Sequence, residues 1–170
     1  LQGSATLGLE IVEYLKSINT KIDNLLISVG GGGLISGVSS YVKQFYPKIK
    51  IIGVEPENAN GLNQSLRVNK PLNNVNVNSI ADSLSAPLHM QYSFDVAKEV
   101  IDEMVTVSDD QMKKFMVFCY KKFKLFLEPA CVAGLAALKY KMNNKLIGKN
   151  TMVILCGSNI DKKTWSDLTN

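Results

Sequence analysis

Four glycines in a row, Gly30 to Gly33, stand between the apolar run Leu25-Leu26-Ile27-Ser28-Val29 and a segment with helical spacing. Glycine loses more conformational freedom on folding than any other residue, so a run of four suits a place where no Cβ is tolerated. Successive backbone N–H groups in such a turn form a nest for an anion, and a helix that starts there adds the positive end of its dipole. A flexible connector would mix in Ser, Asn or Pro and has no need of four glycines in succession. The pattern therefore reads as a phosphate cradle. The nucleoside-triphosphate version, G-x-x-x-x-G-K-[ST], is absent. A dinucleotide fold stays open: strand, glycine loop, helix and strand lead to Glu55, 22 residues beyond Gly33, where an acid would hold a ribose. Its fingerprint fits loosely, since Gly31, Gly33 and Gly37 match only with one extra residue.

Other side chains narrow the chemistry. Cys119, Cys131 and Cys156 lie in apolar surroundings with no C-x-x-C spacing. An odd number of buried-looking thiols argues for the cytoplasm and against a disulfide frame. Alone, Cys156 reads as a small buried hydrophobe ending a strand. His89, the only histidine, has no nearby Cys, which argues against zinc. The net charge of +4 is scattered along the chain. Its densest stretch, Lys113 to Lys124, interleaves Lys with Phe, Met and Tyr and reads as a solvated helix face rather than a nucleic-acid patch. No apolar run approaches the roughly 18 residues that a membrane span needs, and the first residues do not resemble a signal peptide.

These groups need elements to hold them. Ala5 to Lys16 has helical periodicity. Leu25 to Val29 and Ile49 to Val54 read as buried strands around a helix over Leu34 to Phe45 that Pro47 closes. An Asn-rich, mostly irregular stretch follows from Glu57 to Ser79, with a short helix near Leu62 to Val68. Tyr92 to Ile101 reads as helix and Met104 to Val107 as a short strand. Ser108-Asp109-Asp110 caps a long helix through about Phe126. Pro129 opens a small-residue helix, Ala130 to Met142, and Met152 to Cys156 reads as a further buried strand. Strands alternating with helices predict one α/β domain over residues 1–170, with a mostly parallel sheet. Ligands of such sheets bind at the carboxyl ends of the strands. The candidate ends are the glycines after Val29, Glu55 after Val54, and Cys156-Gly157-Ser158-Asn159 after Leu155.

Taken together, four motifs resemble the pyridoxal-phosphate enzymes of the serine/threonine dehydratase and serine racemase family. They are Ser28-Val29-Gly30-Gly31-Gly32-Gly33-Leu34-Ile35-Ser36-Gly37, Gly53-Val54-Glu55-Pro56, Leu127-Glu128-Pro129-Ala130 and Cys156-Gly157-Ser158-Asn159-Ile160-Asp161. They occur in the family's order and at roughly its spacing. Gln2-Gly3-Ser4-Ala5-Thr6 resembles its Q-G-T helix start and Ile80-Ala81-Asp82 its I-A-D segment. The resemblance implies a tryptophan-synthase-β-like fold of type II, of which this chain is the C-terminal half and most of the large domain. It implies that Gly30, Gly31, Gly32, Gly33 and the Leu34 amide bind the phosphate of pyridoxal 5′-phosphate. Cys156 is then expected to face the pyridine nitrogen, with Glu128 near the cofactor. A thiol cannot hold a pyridinium proton as a carboxylate does, which suits loss of an α-proton and a β-hydroxyl better than transamination. Glu55 and the Ala59 carbonyl match two cation-ligating positions of relatives. Gly61 stands where a third ligand is expected, so the resemblance leaves a monovalent ion held partly by carbonyls, Leu84 included, or a divalent one. The alternative for Glu55 is a loop cap, and for Glu128 an acid favoured by a helix dipole.

The family's Ser-Phe-Lys-x-Arg-Gly segment, whose lysine carries the cofactor, does not occur in these 170 residues. The expected activity is ammonia-lyase elimination from a hydroxy amino acid such as serine or threonine, with the chain inactive unless a separate N-terminal half joins it. A homo-oligomer is expected. The alternatives are a serine racemase-like isomerase, a non-catalytic remnant whose uncovered apolar face self-associates, and an NAD-type dinucleotide-binding domain.

Overall fold

Four parallel strands in the order β3-β2-β1-β4 form the centre of the computed structural model, which describes residues 1–169. They are β1 (Asn24–Ser28), β2 (Lys50–Pro56), β3 (Glu103–Val107) and β4 (Thr151–Val153). Period-two alternation sends β1 and β2 side chains to two separate cores. Leu25, Ile27 and Ile51 enter one and Leu26, Ile52 and Val54 the other. The first core is covered by α1 (Gln2–Ser17), α2 (Gly33–Phe45) and α4 (Gln91–Val100). The second is covered by α5 (Asp109–Phe123), α6 (Pro129–Tyr140) and α7 (Lys162–Thr169). A short helix, α3 (Gly61–Arg67), and a 3₁₀ turn over Asp82–Leu84 complete the elements. No helix among the described residues is long and apolar enough to cross a membrane.

The local signals behave as their chemistry demands. Ser108 accepts from the Gln111 amide while the Gln111 side chain returns to the Ser108 N–H, a reciprocal cap that starts α5. Met112, Met116 and Cys119 form the buried stripe of that helix, and Lys114, Lys121 and Lys122 face solvent. α5 stops at Phe123 rather than near Phe126, because Lys124 turns left-handed (φ 59°) and its N–H closes on the Tyr120 carbonyl.

Two expectations need correction. The last strand has three paired residues, Thr151 to Val153, and all are only half-buried, because β4 is a sheet edge paired with β1 alone. The chain then runs past the sheet, so Leu155 is 43% exposed and Cys156 is exposed as well, while Cys119 and Cys131 are buried. Hydropathy alone does not separate an edge strand from a central one. The second correction is α7, which the sequence reading omits. Asp161 caps it through the Thr164 N–H at 2.9 Å, and Trp165 stacks on Phe126 with ring centroids 5.0 Å apart.

Candidate functional site

The order β3-β2-β1-β4 contains one reversal: the chain moves outward from β1 to β3 and then crosses back to the other side of β1. The loops leaving β1 and β4 therefore diverge and open a crevice at the carboxyl end of the sheet. A cavity of about 320 Å³ lies there, lined by residues 28–35, Ser83, Leu84, Glu128, Ala130, Ile154, Cys156 and Gly157. Two segments more than 120 residues apart in sequence, the glycine loop and the Cys156 turn, share its wall.

The four glycines have different physical reasons. A Cβ on Gly30 would meet the Ser83 carbonyl at 2.9 Å and Leu84 Cα at 3.1 Å, so the loop lies directly on the Ser83–Leu84 backbone. Gly32 is left-handed (φ 82°) and caps α2, its carbonyl accepting from the Ser36 N–H at 3.1 Å. A Cβ on Gly31 or Gly33, in contrast, meets nothing within 4 Å. The fold itself thus disfavours a Cβ at Gly30 and Gly32 but leaves the side-chain space at Gly31 and Gly33 open. The first N–H groups of α2 have no acceptor within the helix and belong to the cavity wall at Gly33, Leu34 and Ile35. Ser28, on the same wall, has its Oγ buried without a hydrogen-bond partner among the described residues. Open space beside free amides and an orphaned hydroxyl fit an anionic ligand with several acceptor oxygens.

Glu128 is the N-cap residue of α6, yet its carboxylate does not cap that helix. It accepts instead from the Asn159 N–H at 3.1 Å and from the Ser83 hydroxyl at 3.3 Å, which ties three loops together at the cavity. Gly157 (φ 135°) makes this possible, because a Cβ there would run into the Glu128 carboxylate. Ser83 is a site residue that sequence reasoning missed: it directly follows the Ile80-Ala81-Asp82 motif, and only the packing of that segment against the glycine loop reveals it. Cys156 faces the cavity, whereas burial, reinforced by Cys156 and Glu128, pushes the neighbouring Cys131 thiol up to about 12.

Glu55 lies elsewhere. It is 1% exposed, and its two oxygens accept from the Leu62 N–H at 2.8 Å and the Asn63 N–H at 2.9 Å. Burial raises its pKa from 4.5 to about 7, against the pull of those two bonds. The carboxylate thus closes the start of α3, and with both oxygens engaged there it is not presented to a ribose, which removes the dinucleotide reading. Ala59 is buried, its N–H bonded to the Pro56 carbonyl, while Leu84 packs under the glycine loop with its carbonyl accepting from the Ala86 N–H at 3.0 Å. No cluster of three or more His, Cys, Asp or Glu that could hold a metal ion occurs among the described residues. His89, buried at 2% exposure, has Nε2 3.0 Å from the Gly30 carbonyl oxygen.

A doubly covered parallel sheet with a glycine loop and a cavity at its reversal point defines an α/β protein of the kind that binds a ligand at the strand ends. Residues 1–157 match the pyridoxal-phosphate dependent enzyme family, and the chain belongs to it. Among its relatives, phenylserine dehydratase of Ralstonia pickettii is 40% identical over 164 residues, covering 96% of this chain and 49% of the relative. Catabolic L-threonine dehydratase of Escherichia coli is 30% identical, over 99% of this chain and 50% of the relative. Among solved structures, threonine deaminase isoform 2 of Solanum lycopersicum superposes with a TM-score of 0.89 at 34% identity, over 98% of this chain and 48% of that one. Maize serine racemase gives 0.85 at 30% identity, over 98% and 52%. The chain spans about half the length of the curated relatives it matches.

Proposed function

We propose that this chain is the phosphate-gripping part of a pyridoxal-phosphate dependent ammonia-lyase acting on a β-hydroxy amino acid. The observation that carries this reading is the shared cavity wall: glycine loop on one side, Cys156 and Glu128 on the other. In it the amides of Gly31 to Leu34 receive the phosphate. Cys156 meets the pyridine nitrogen with a thiol, which brings no formal charge to the ring. The cofactor, when bound, supplies an electron sink for the pair released as the α C–H bond breaks. Glu128, fixed by Asn159 and Ser83, holds a carboxylate at the cavity edge, and Val29, Ala130 and Ile154 exclude water behind it. The lysine that carries the cofactor comes from sequence outside these 170 residues in this reading.

The relatives that support elimination are dehydratases of phenylserine and threonine, and those that support a racemase are the serine racemases, which gives isomerisation the second place. The test uses the full-length protein. Pyridoxal 5′-phosphate should bind it and NAD should not. Serine, threonine and 3-phenylserine are then each supplied, and 2-oxo acid and ammonia are measured alongside the appearance of the D-enantiomer. Equimolar 2-oxo acid and ammonia are expected. Inversion without ammonia release would replace elimination by racemisation, and binding of NAD in place of pyridoxal phosphate would end the proposal.

A further inference from the structure

A glycine run leaves room for a ligand, but it also leaves the backbone free to turn away from it. A nest of N–H groups binds tightly only when it is already oriented, since ordering it on binding subtracts from affinity. Two of the four glycines are held by the fold: Gly30 lies on the distant Ser83–Leu84 backbone, and Gly32 is locked left-handed at the start of α2. The tip, Gly31, is exposed and meets nothing within 4 Å of an added Cβ. The peptide that leads into this tip is fixed by a side chain 59 residues away, through the 3.0 Å contact from His89 Nε2 to the Gly30 carbonyl oxygen.

A carbonyl only accepts, so the imidazole carries its proton on Nε2 and donates it. The Gly30 carbonyl and the Gly31 N–H belong to one planar trans peptide and point in opposite directions. Holding the carbonyl down on the buried ring therefore turns the Gly31 N–H away from that ring, and Gly31 itself lines the cavity. We propose that His89 is the positioning residue of the phosphate loop, its Nε2–H pre-orienting the Gly30–Gly31 peptide for an incoming phosphate. This inference rests on the phosphate-site reading above.

The seat of the ring has the features of a built support. A Cβ on Gly61 would stand 3.0 Å from His89 Cε1 and 3.5 Å from Nδ1, so a glycine there makes the notch that admits the imidazole. The backbone under that notch is fixed because the adjacent Leu62 and Asn63 amides are tied to the Glu55 carboxylate. The His89 N–H bonds the Leu72 carbonyl at 3.2 Å, and Val75 N–H bonds the Pro87 carbonyl at 2.8 Å, which straps the incoming segment down. Nδ1 is buried without a partner among the described residues. An unsatisfied buried nitrogen costs stability that an apolar ring in its place would not cost. What the imidazole adds in return is a single donor, and it is aimed at the glycine loop.

The experiment titrates pyridoxal 5′-phosphate and pyridoxal into the apo form of the full-length protein, with thermal midpoints measured in parallel. The ratio of the two dissociation constants isolates the phosphate grip from the rest of the site. His89→Phe should keep or raise the midpoint and lower that ratio about 5- to 10-fold, the weight of one well-placed hydrogen bond. His89→Gln, whose amide reaches about as far as Nε2, should restore most of it. A wild-type ratio in His89→Phe, or no recovery in His89→Gln, overturns the role of His89. If His89→Phe does not fold, His89→Asn, whose amide is too short to reach the carbonyl, takes its place in the same comparison. A wild-type protein that binds both compounds equally would instead overturn the phosphate site itself.

Discussion

Gly33→Ala separates what the fold requires from what a ligand requires. Gly33 is the first residue of α2, its backbone is not left-handed, and a Cβ there meets nothing within 4 Å. Replacing it removes conformational freedom from the unfolded chain and adds helix propensity, which should stabilise the protein by about 0.5–1 kcal/mol. The ligand feels the opposite effect. The methyl group would take up open space at the cavity wall that the reading above gives to the ligand, and would hold its oxygens back from the first amides of α2. Losing one charge-assisted hydrogen bond is worth about 1.5–3 kcal/mol, or roughly 10- to 100-fold in affinity for pyridoxal 5′-phosphate. The assay is urea denaturation for stability and equilibrium dialysis for the cofactor. Gly30→Ala is the contrast: its Cβ would press on backbone atoms of Ser83 and Leu84, so it should lose stability first. A Gly33→Ala protein that is less stable, or that binds the cofactor as well as wild type, would refute the assignment of that open space to a ligand.

Glu55 gives a pH signature. Its folded pKa is raised from 4.5 to about 7, so the folded protein keeps a proton that the unfolded chain releases. The stability this provides is complete below the unfolded value and is lost as pH rises through the folded one, by roughly 2.5 kcal/mol between about pH 5 and 8. Denaturation of wild type and Glu55→Gln at both pH values checks this, and equal slopes in the two proteins would contradict it. The thiols should also differ. Maleimide near neutral pH should label exposed Cys156 first in the apo protein and spare buried Cys119 and Cys131, and bound cofactor should slow the reaction at Cys156. Peptide mass spectrometry reads the order, and equal labelling of all three would count against it.

Much of this protein is written locally. The run of glycines after an apolar strand, the Ser108–Gln111 cap and the small-residue helix opened by Pro129 each depend on neighbours a few residues apart. Spacing and residue type therefore suffice to read them. Strand alternation with helices likewise determined a parallel α/β sheet. The tertiary structure decided which strand ends meet. β4 crosses back beside β1, and that non-local pairing brings Cys156 to the glycine loop and leaves β4 as an edge. The same packing buries Glu55 against the amides of α3, ties Glu128 to Ser83 and Asn159, and brings His89 under Gly30. Even the glycines divide only in three dimensions, two shaped by the chain and two facing open space. A sequence fixes the conformation each residue prefers, but burial, hydrogen-bond partners and free volume belong to pairs of distant segments, and those exist only once the sheet is assembled.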